Sequence, residues 1–261
     1  MRLIGVTGAK GILGTKICLS LNKTGENYTI FDGDITDRIK VHSWVSHNKI
    51  TDLIHLAAKV QIDEVEQGLG SAIATNIQGT LNIINECVKS QHLRYIFFAS
   101  TSHVYSNRVK NPRNENDELD PINTYGLTKF CGENIVKTLC QPNCISYTIG
   151  RIFSFYDRNQ KPGYLYSNLL QKIKKNKPGQ AIQVFGANNV RNFSTSDEIA
   201  SKILKLVTLR YDGVINIGST NNLTVGEFCR RFIPKDIQVE EHKDIQPSIL
   251  LPCLKKFNEL E

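Results

Sequence analysis

The stretch Val6-Thr7-Gly8-Ala9-Lys10-Gly11-Ile12-Leu13-Gly14 constrains the fold of this chain more than any other. It follows the apolar run Leu3-Ile4-Gly5-Val6 and leads into Ile17-Cys18-Leu19-Ser20-Leu21, so it reads as strand, glycine turn and helix. Glycines allow a tight turn and a close backbone approach. The first amides and the positive dipole end of the helix that follows can then hold an anion such as a pyrophosphate. The spacing TGxxGxxG departs from GxGxxG, and a purely structural glycine turn would look the same locally. The dinucleotide reading therefore rests on context, the motif standing at the start of the chain, where such a fold usually begins.

Strand and helix signals alternate along the rest of the sequence. Strands are expected near 2–7, 28–32, 52–56, 94–99, 145–151, 182–185 and 214–217, separated by segments of helical spacing. Such alternation predicts an α/β fold with a doubly wound parallel sheet. At 261 residues, one α/β domain with a small appended lobe is expected rather than two independent domains. The dinucleotide-binding part is assigned to 1–151 plus about 191–221, and a discontinuous substrate lobe to about 152–190 and 222–261. The polar stretch from Asn107 to Asn123 is expected to be a loop bordering the site.

Two further motifs follow in order. Phe97-Phe98-Ala99-Ser100-Thr101-Ser102-His103-Val104-Tyr105 is an apolar strand ending in hydroxyls, and in parallel α/β sheets ligands bind beyond the carboxyl ends of the strands. Tyr125-Gly126-Leu127-Thr128-Lys129 places a phenol and an ammonium on one helix face, one turn apart. That spacing predicts that Lys129 draws the Tyr125 pKa down toward working pH, where a phenol serves as general acid or base.

Charge and cysteine usage narrow the function classes. The formal charge is +7, but the one dense run, Gln171-Lys172-Ile173-Lys174-Lys175-Asn176-Lys177, ends a predicted helix, where lysines complement the dipole. A nucleic-acid partner is not expected, whereas a diphosphate-bearing substrate would profit from a positive field. Seven cysteines form no CxxC pair and six histidines show no ligand spacing, so no metal site is expected. Neither a membrane span nor a signal peptide is read, and a cytoplasmic protein is expected.

Taken together, TGxxGxxG, the hydroxyl strand and YxxxK resemble the extended short-chain dehydrogenase/reductase family, in particular its nucleotide-sugar branch. Ile54-His55-Leu56-Ala57-Ala58, Asn76-Ile77-Gln78-Gly79-Thr80, Arg151-Ile152-Phe153 and Val190-Arg191-Asn192-Phe193-Ser194-Thr195-Ser196-Asp197 extend the resemblance over most of the chain. It implies a Rossmann fold, NAD(H) or NADP(H) as cofactor, a nucleotide-sugar substrate and a homodimer. It also implies Thr101, Tyr125 and Lys129 as catalytic residues, with Ser100 and Ser102 as rivals of Thr101. Cofactor contacts are implied for Gly8, Lys10, Gly11, Ile12, Leu13, Gly14, Asp32, Asp34, Ile35, Leu56, Ala57 and Ala58, with Tyr125 and Lys129. Substrate contacts are implied for Thr101, Ser102, Asn168, Phe185 and Arg191, with Phe185 on the nucleotide base and Arg191 on the diphosphate.

Where the family's 4,6-dehydratases carry an acidic pair, this chain has Ser102 and His103, which argues against dehydration. Ile62-Asp63-Glu64-Val65-Glu66 is similar to a segment of the dTDP-4-dehydrorhamnose reductases, while the Arg191 segment and the tail from Ser248 to Lys256 look more like the epimerases. Ser154 stands where the epimerases have Asn. The resemblance thus implies a 4-ketoreductase, with a 4-epimerase as the alternative. Non-catalytic dinucleotide-binding relatives usually lose the Tyr or the Lys, and both are present here.

Overall fold

The computed structural model describes residues 1–108 and 111–260. The chain runs β1 (Ile4–Thr7), α1 (Ile12–Thr24), β2 (Tyr28–Ile30), α2 (Arg38–His47), β3 (Asp52–His55), α3 (Ile62–Gln67), α4 (Leu69–Ile73) and, after a π-helical turn at Ala74–Gly79, α5 (Thr80–Lys89). Next come β4 (Tyr95–Thr101), α6 (Thr124–Cys140), β5 (Ser146–Ile152), β6 (Phe155–Tyr156), α7 (Leu165–Lys175), β7 (Ile182–Phe185), β8 (Val190–Asn192) and β9 (Ser194–Thr195). The remainder is α8 (Ser196–Leu209), β10 (Gly213–Ile217), β11 (Asn222–Thr224), α9 (Val225–Arg230), β12 (Val239–His242), β13 (Ile249–Leu250) and α10 (Lys255–Asn258).

The central sheet has six strands in the order β10-β5-β4-β3-β1-β2, and every pairing is parallel. Both faces are covered, as the near-continuous apolar character of the strands requires. Alternate side chains divide between two cores. Ile4, Val6, Ile54 and Phe97 join Ile199, Ile203 and Leu206 of α8 on one face, while Leu53, Ile96, Phe98 and Ile149 join Val41, Ile83 and Val136 on the other. Consecutive Phe97 and Phe98 thus anchor opposite helix layers, each wholly buried.

The expected strand at 182–185 forms, but it pairs with β12 outside the central sheet. It belongs to a separate core in which Tyr166, Ile182, Val184, Val225 and Phe228 meet, with Phe193 and Phe228 stacked at 3.9 Å. Between Asn107 and Asn123 the described residues form no helix or extended strand, only single bridges such as Tyr105 to Leu119.

Strand order reverses between β1 and β3, because the chain leaves β1 toward β2 and returns on the other side. In open α/β sheets this crevice, at the carboxyl ends of the strands, is where ligands bind. Gly8 and Ala57 meet there.

Candidate active site

At the β1 end the backbone is shaped by what glycine lacks. Gly8 has φ +71°, and a Cβ on it would come within 2.7 Å of Ala57 N. A Cβ on Gly14 would overlap the Gly8 carbonyl oxygen, which also accepts a 3.0 Å bond from Gly11 N. Helix α1 has no side-chain cap and no acidic residue in its first turn, so beyond the Gly11 amide, which the Gly8 carbonyl takes, the first amides present the positive end of the helix without a side-chain partner. These residues fit a dinucleotide pyrophosphate. The turn is braced by Thr7, whose hydroxyl bonds His55 Nδ1 at 2.7 Å and accepts from Ala57 N at 3.3 Å, and Leu56 N reaches Thr7 O at 3.3 Å. Leu56, Ala57 and Ala58 line the crevice half-exposed.

Beyond β2, Lys10 Nζ and Asp32 Oδ1 form a 2.5 Å ion pair across the crevice mouth, both largely exposed. Asp34 folds back to accept from Thr36 N and Thr36 Oγ1 at 2.9 and 2.8 Å, which holds its carboxyl below the usual range. The Ile35 side chain is committed to the core against Gly79.

The reaction end is built on β4 and α6. Asn123 caps α6 by accepting from Gly126 N at 2.8 Å. Gly126 lets the helix press on the strand end, since a Cβ there would overlap the His103 carbonyl. Thr101 and Ser102 are buried at the tip of β4. The hydroxyl of Ser100 turns into the protein, donating to Glu133 Oε1 at 2.5 Å, and Glu133 makes a bidentate pair with buried Arg151 at 3.0 and 2.9 Å. One residue without an assigned role in the sequence reading is Asn76 in the π-helical turn. It bonds Lys59 N and O at 2.7 and 2.8 Å and Thr128 Oγ1 at 3.0 Å, tying the segment after Ala58 to the Tyr125 helix. π-Turns recur at functional sites.

The electrostatics correct the expectation drawn from the YxxxK spacing. Burial pushes the Tyr125 pKa up, Tyr164 adds to this, and a hydrogen bond with Thr101 only partly opposes it. Lys129 is 3% exposed and lies over the Phe98 ring, with Nζ 4.2 Å from its centroid. Burial draws its own pKa down to about 7 against the pull of Glu133. Desolvation thus outweighs the i,i+4 attraction, and the phenol stays protonated at neutral pH. His55, stacked on the other side of this cluster against Phe98, is held neutral, its pKa down to about 3 through burial and Lys129.

Arg191 of β8 is half-buried, its NH1 donating to Val190 O and Ser248 O at 2.9 and 2.8 Å and its NH2 to Ser248 Oγ at 2.6 Å. Among the described residues no carboxylate lies within ion-pair distance of it; burial draws its pKa down and the Asp244 charge opposes this. The Arg191 charge is felt at His103, whose ring meets Tyr125 edge-on at 6.0 Å. Phe185 is 66% exposed, stacks on His242 at 4.6 Å and has Lys172 Nζ over its ring, 5.7 Å from the centroid. Exposed Asn168 accepts from Gly163 N at 2.8 Å. The structure brings Thr101 and Tyr125 into hydrogen-bond contact, with Lys129 one turn on along α6 and the Arg191 charge acting on His103, whereas Phe185 and Asn168 make their contacts elsewhere.

Tyr164 was missed by the sequence reading. It precedes α7, is half-buried, and interacts electrostatically with Tyr125 and Glu64. The neighbouring Pro162 carbonyl accepts from Gln61 Nε2 at 2.6 Å, which joins the segment before α3 to the segment before α7. An aromatic ahead of a helix carries no local signal of such a placement.

Known proteins resemble the chain in sequence and in fold. UDP-glucuronate 4-epimerase 2 of Arabidopsis thaliana is 29% identical over 231 residues, 76% of this chain and 52% of that protein. The dTDP-4-keto-6-deoxy-D-glucose reductase of Streptomyces niveus is 33% identical over 137 residues, 51% of this chain and 47% of that one. The chain spans about half the length of these curated relatives. Pal from Bacillus thuringiensis shares the fold, with a TM-score of 0.88 at 18% identity over 99% of this chain and 92% of its own. The model of the NAD dependent epimerase/dehydratase family matches residues 4–218, and the chain belongs to that family.

Proposed function

We propose that the protein is an NAD(P)-dependent oxidoreductase of a nucleoside-diphosphate sugar, acting as a 4-ketoreductase. The observation that carries this reading is Tyr125, a phenol kept protonated by burial, bonded to Thr101 and one helical turn from Lys129 at the end of the switch-point crevice. A dinucleotide would be held by the turn from Gly8 to Gly14, with its adenosine ribose beside Asp32 and Lys10 and its nicotinamide end beside Tyr125 and Lys129. NAD(H) is used at least as well as NADP(H) because Asp32 accepts from ribose hydroxyls and repels a 2′-phosphate. When bound, the reduced nicotinamide supplies a hydride to the carbonyl carbon of the sugar.

Tyr125 Oη gives its proton to the carbonyl oxygen as negative charge develops there, and the Thr101 hydroxyl donates a second bond to the same oxygen. Ketone, hydride and proton balance to a secondary alcohol. In its charged form Lys129, one helical turn away, steadies the phenolate left behind. Arg191 takes the diphosphate as a planar fork, and the largely exposed ring of Phe185 is the aromatic offered to the base. The core shared by Tyr166, Val184, Val225 and Phe228 supports assigning 152–190 and 222–261 to the substrate lobe.

A 4-epimerase is the second reading, favoured by the Arabidopsis relative. It would begin by oxidation, which needs a phenolate rather than a phenol, and would turn the sugar over between two hydride transfers. Following the reduced-nicotinamide absorbance with NDP-4-keto-6-deoxy sugars tests the choice. Stoichiometric loss of absorbance is expected; equilibration of an NDP-hexose with its 4-epimer and no net loss would make the protein an epimerase.

A further inference from the structure

We propose that His103 is a substrate-binding residue whose Nε2–H donates a hydrogen bond to an oxygen of the sugar, between the proton donor Tyr125 and the diphosphate cation Arg191. This rests on the nucleotide-sugar reading above.

The hydrogen-bond chain through Asn123 sets the tautomer. Asn123 Oδ1 is taken by Gly126 N at 2.8 Å, so the group it turns toward His103 Nδ1, at 2.7 Å, is its amide nitrogen. A donor facing Nδ1 makes Nδ1 the acceptor, and the single proton of a neutral imidazole then sits on Nε2. The ring is neutral, since burial and the Arg191 charge hold its pKa down to about 4.

The same chain holds the ring in place. Asn123 caps the helix that carries Tyr125, the His103 amide donates to Thr101 Oγ1 at 3.3 Å, and its carbonyl accepts from Ile122 N at 3.1 Å. Swinging the imidazole away would cost the cap its second bond. Held there, half-buried and edge-on to Tyr125 at 6.0 Å, the ring has no hydrogen bond from Nε2 among the described residues. A fixed neutral donor that is not itself an acid at working pH contributes recognition rather than proton transfer. Its partner must be an acceptor, a sugar hydroxyl or carbonyl oxygen, reached by a ligand whose diphosphate lies at Arg191 and whose reacting carbon lies at Tyr125. His103 is thus the point at which the chain reads the sugar apart from the nucleotide.

The test is calorimetric binding of UDP, dTDP, UDP-glucuronate, UDP-glucose and dTDP-glucose to the NAD+-saturated protein. Wild type is compared with His103→Phe, which keeps the ring but not the donor. It is also compared with His103→Gln, whose amide N–H reaches the Nε2 position, and His103→Asn, whose amide reaches only Nδ1. We expect His103→Phe and His103→Asn to weaken the nucleotide sugar about 3- to 10-fold while the free nucleotide binds as before, and His103→Gln to recover most of the loss. If His103→Phe does not fold, the Gln and Asn variants decide alone. Equal sugar binding in all variants, or parallel loss of nucleotide and nucleotide sugar, overturns the proposal. Wild type that binds none of the five overturns the functional reading first, an outcome visible before any variant is made.

Discussion

The two ends of the crevice hold charge in opposite ways. At the mouth, Lys10 and Asp32 pair at 2.5 Å with their side chains 79% and 62% exposed, and no side chain caps the start of α1. At the reaction end, Lys129 is 3% exposed with an aromatic ring beneath it, and Tyr125 and His55 are displaced from their ordinary pKa values chiefly by desolvation. Exposed charges are screened by water and salt, whereas desolvated ones are not. Side-chain chemistry should therefore be decisive at one end and minor at the other.

The largest effect tests that directly. Tyr125→Phe keeps the ring and removes the proton, so turnover should fall by about 10²- to 10⁴-fold while the dissociation constant for NADH, read by its fluorescence, is unchanged. Full turnover would break the contrast at its root. Lys129→Met comes next and is read in stability. With a native pKa near 7, the unfolded chain binds a proton in alkaline solution that the native Lys129 does not, so this group makes stability rise with pH from about 7 toward its unfolded pKa near 10. Denaturation curves of the variant should lack that contribution, up to about 1.4 kcal/mol per pH unit, and parallel slopes would show that Lys129 is not desolvated.

At the mouth, Gly8→Ala should cost about 1–3 kcal/mol and impair dinucleotide binding, because the position has φ +71° and a Cβ would press on Ala57 N. A neutral outcome in melting and NADH titration would mean that the turn is looser than described. The smallest effect belongs to the ion pair. Lys10→Ala should change stability by less than about 1 kcal/mol, and Asp32→Ala should shift the NADH over NADPH preference by less than about tenfold, with both effects fading in salt. A wild-type preference for NADPH that survives Asp32→Ala would give the carboxylate another task.

These ends were not equally legible in the sequence. The parallel sheet could be read because buried strands such as Ile4 to Val6 and Tyr95 to Phe98 are short apolar runs punctuated by glycine and helical spacing, all local signals. Tyr125 does bond Thr101, with Lys129 one turn away on the same helix, but the direction of the Tyr125 shift was misread. Spacing reveals a neighbouring charge four residues away and says nothing of burial, nor of Tyr164 and Thr101, which come from elsewhere in the chain and also act on the phenol. Asn76 was legible only as part of a resembling segment, since its bonds to Lys59 and Thr128 depend on a π-turn that no residue pattern announces. The Lys10 to Asp32 pair, 22 residues apart, likewise emerges only once β1 and β2 lie side by side.

The central claim is that Tyr125 serves as acid in a net reduction, and isotope transfer tests it most directly. The protein is incubated with an NDP-4-keto-6-deoxy sugar and NADH carrying deuterium at nicotinamide C4 on the transferred face, and the sugar is analysed by mass spectrometry. The account predicts one deuterium at sugar C4 in each product molecule, one oxidised cofactor per product, and loss of both in Tyr125→Phe. Product free of label, or an NDP-hexose exchanged for its 4-epimer with the cofactor unchanged, would contradict it.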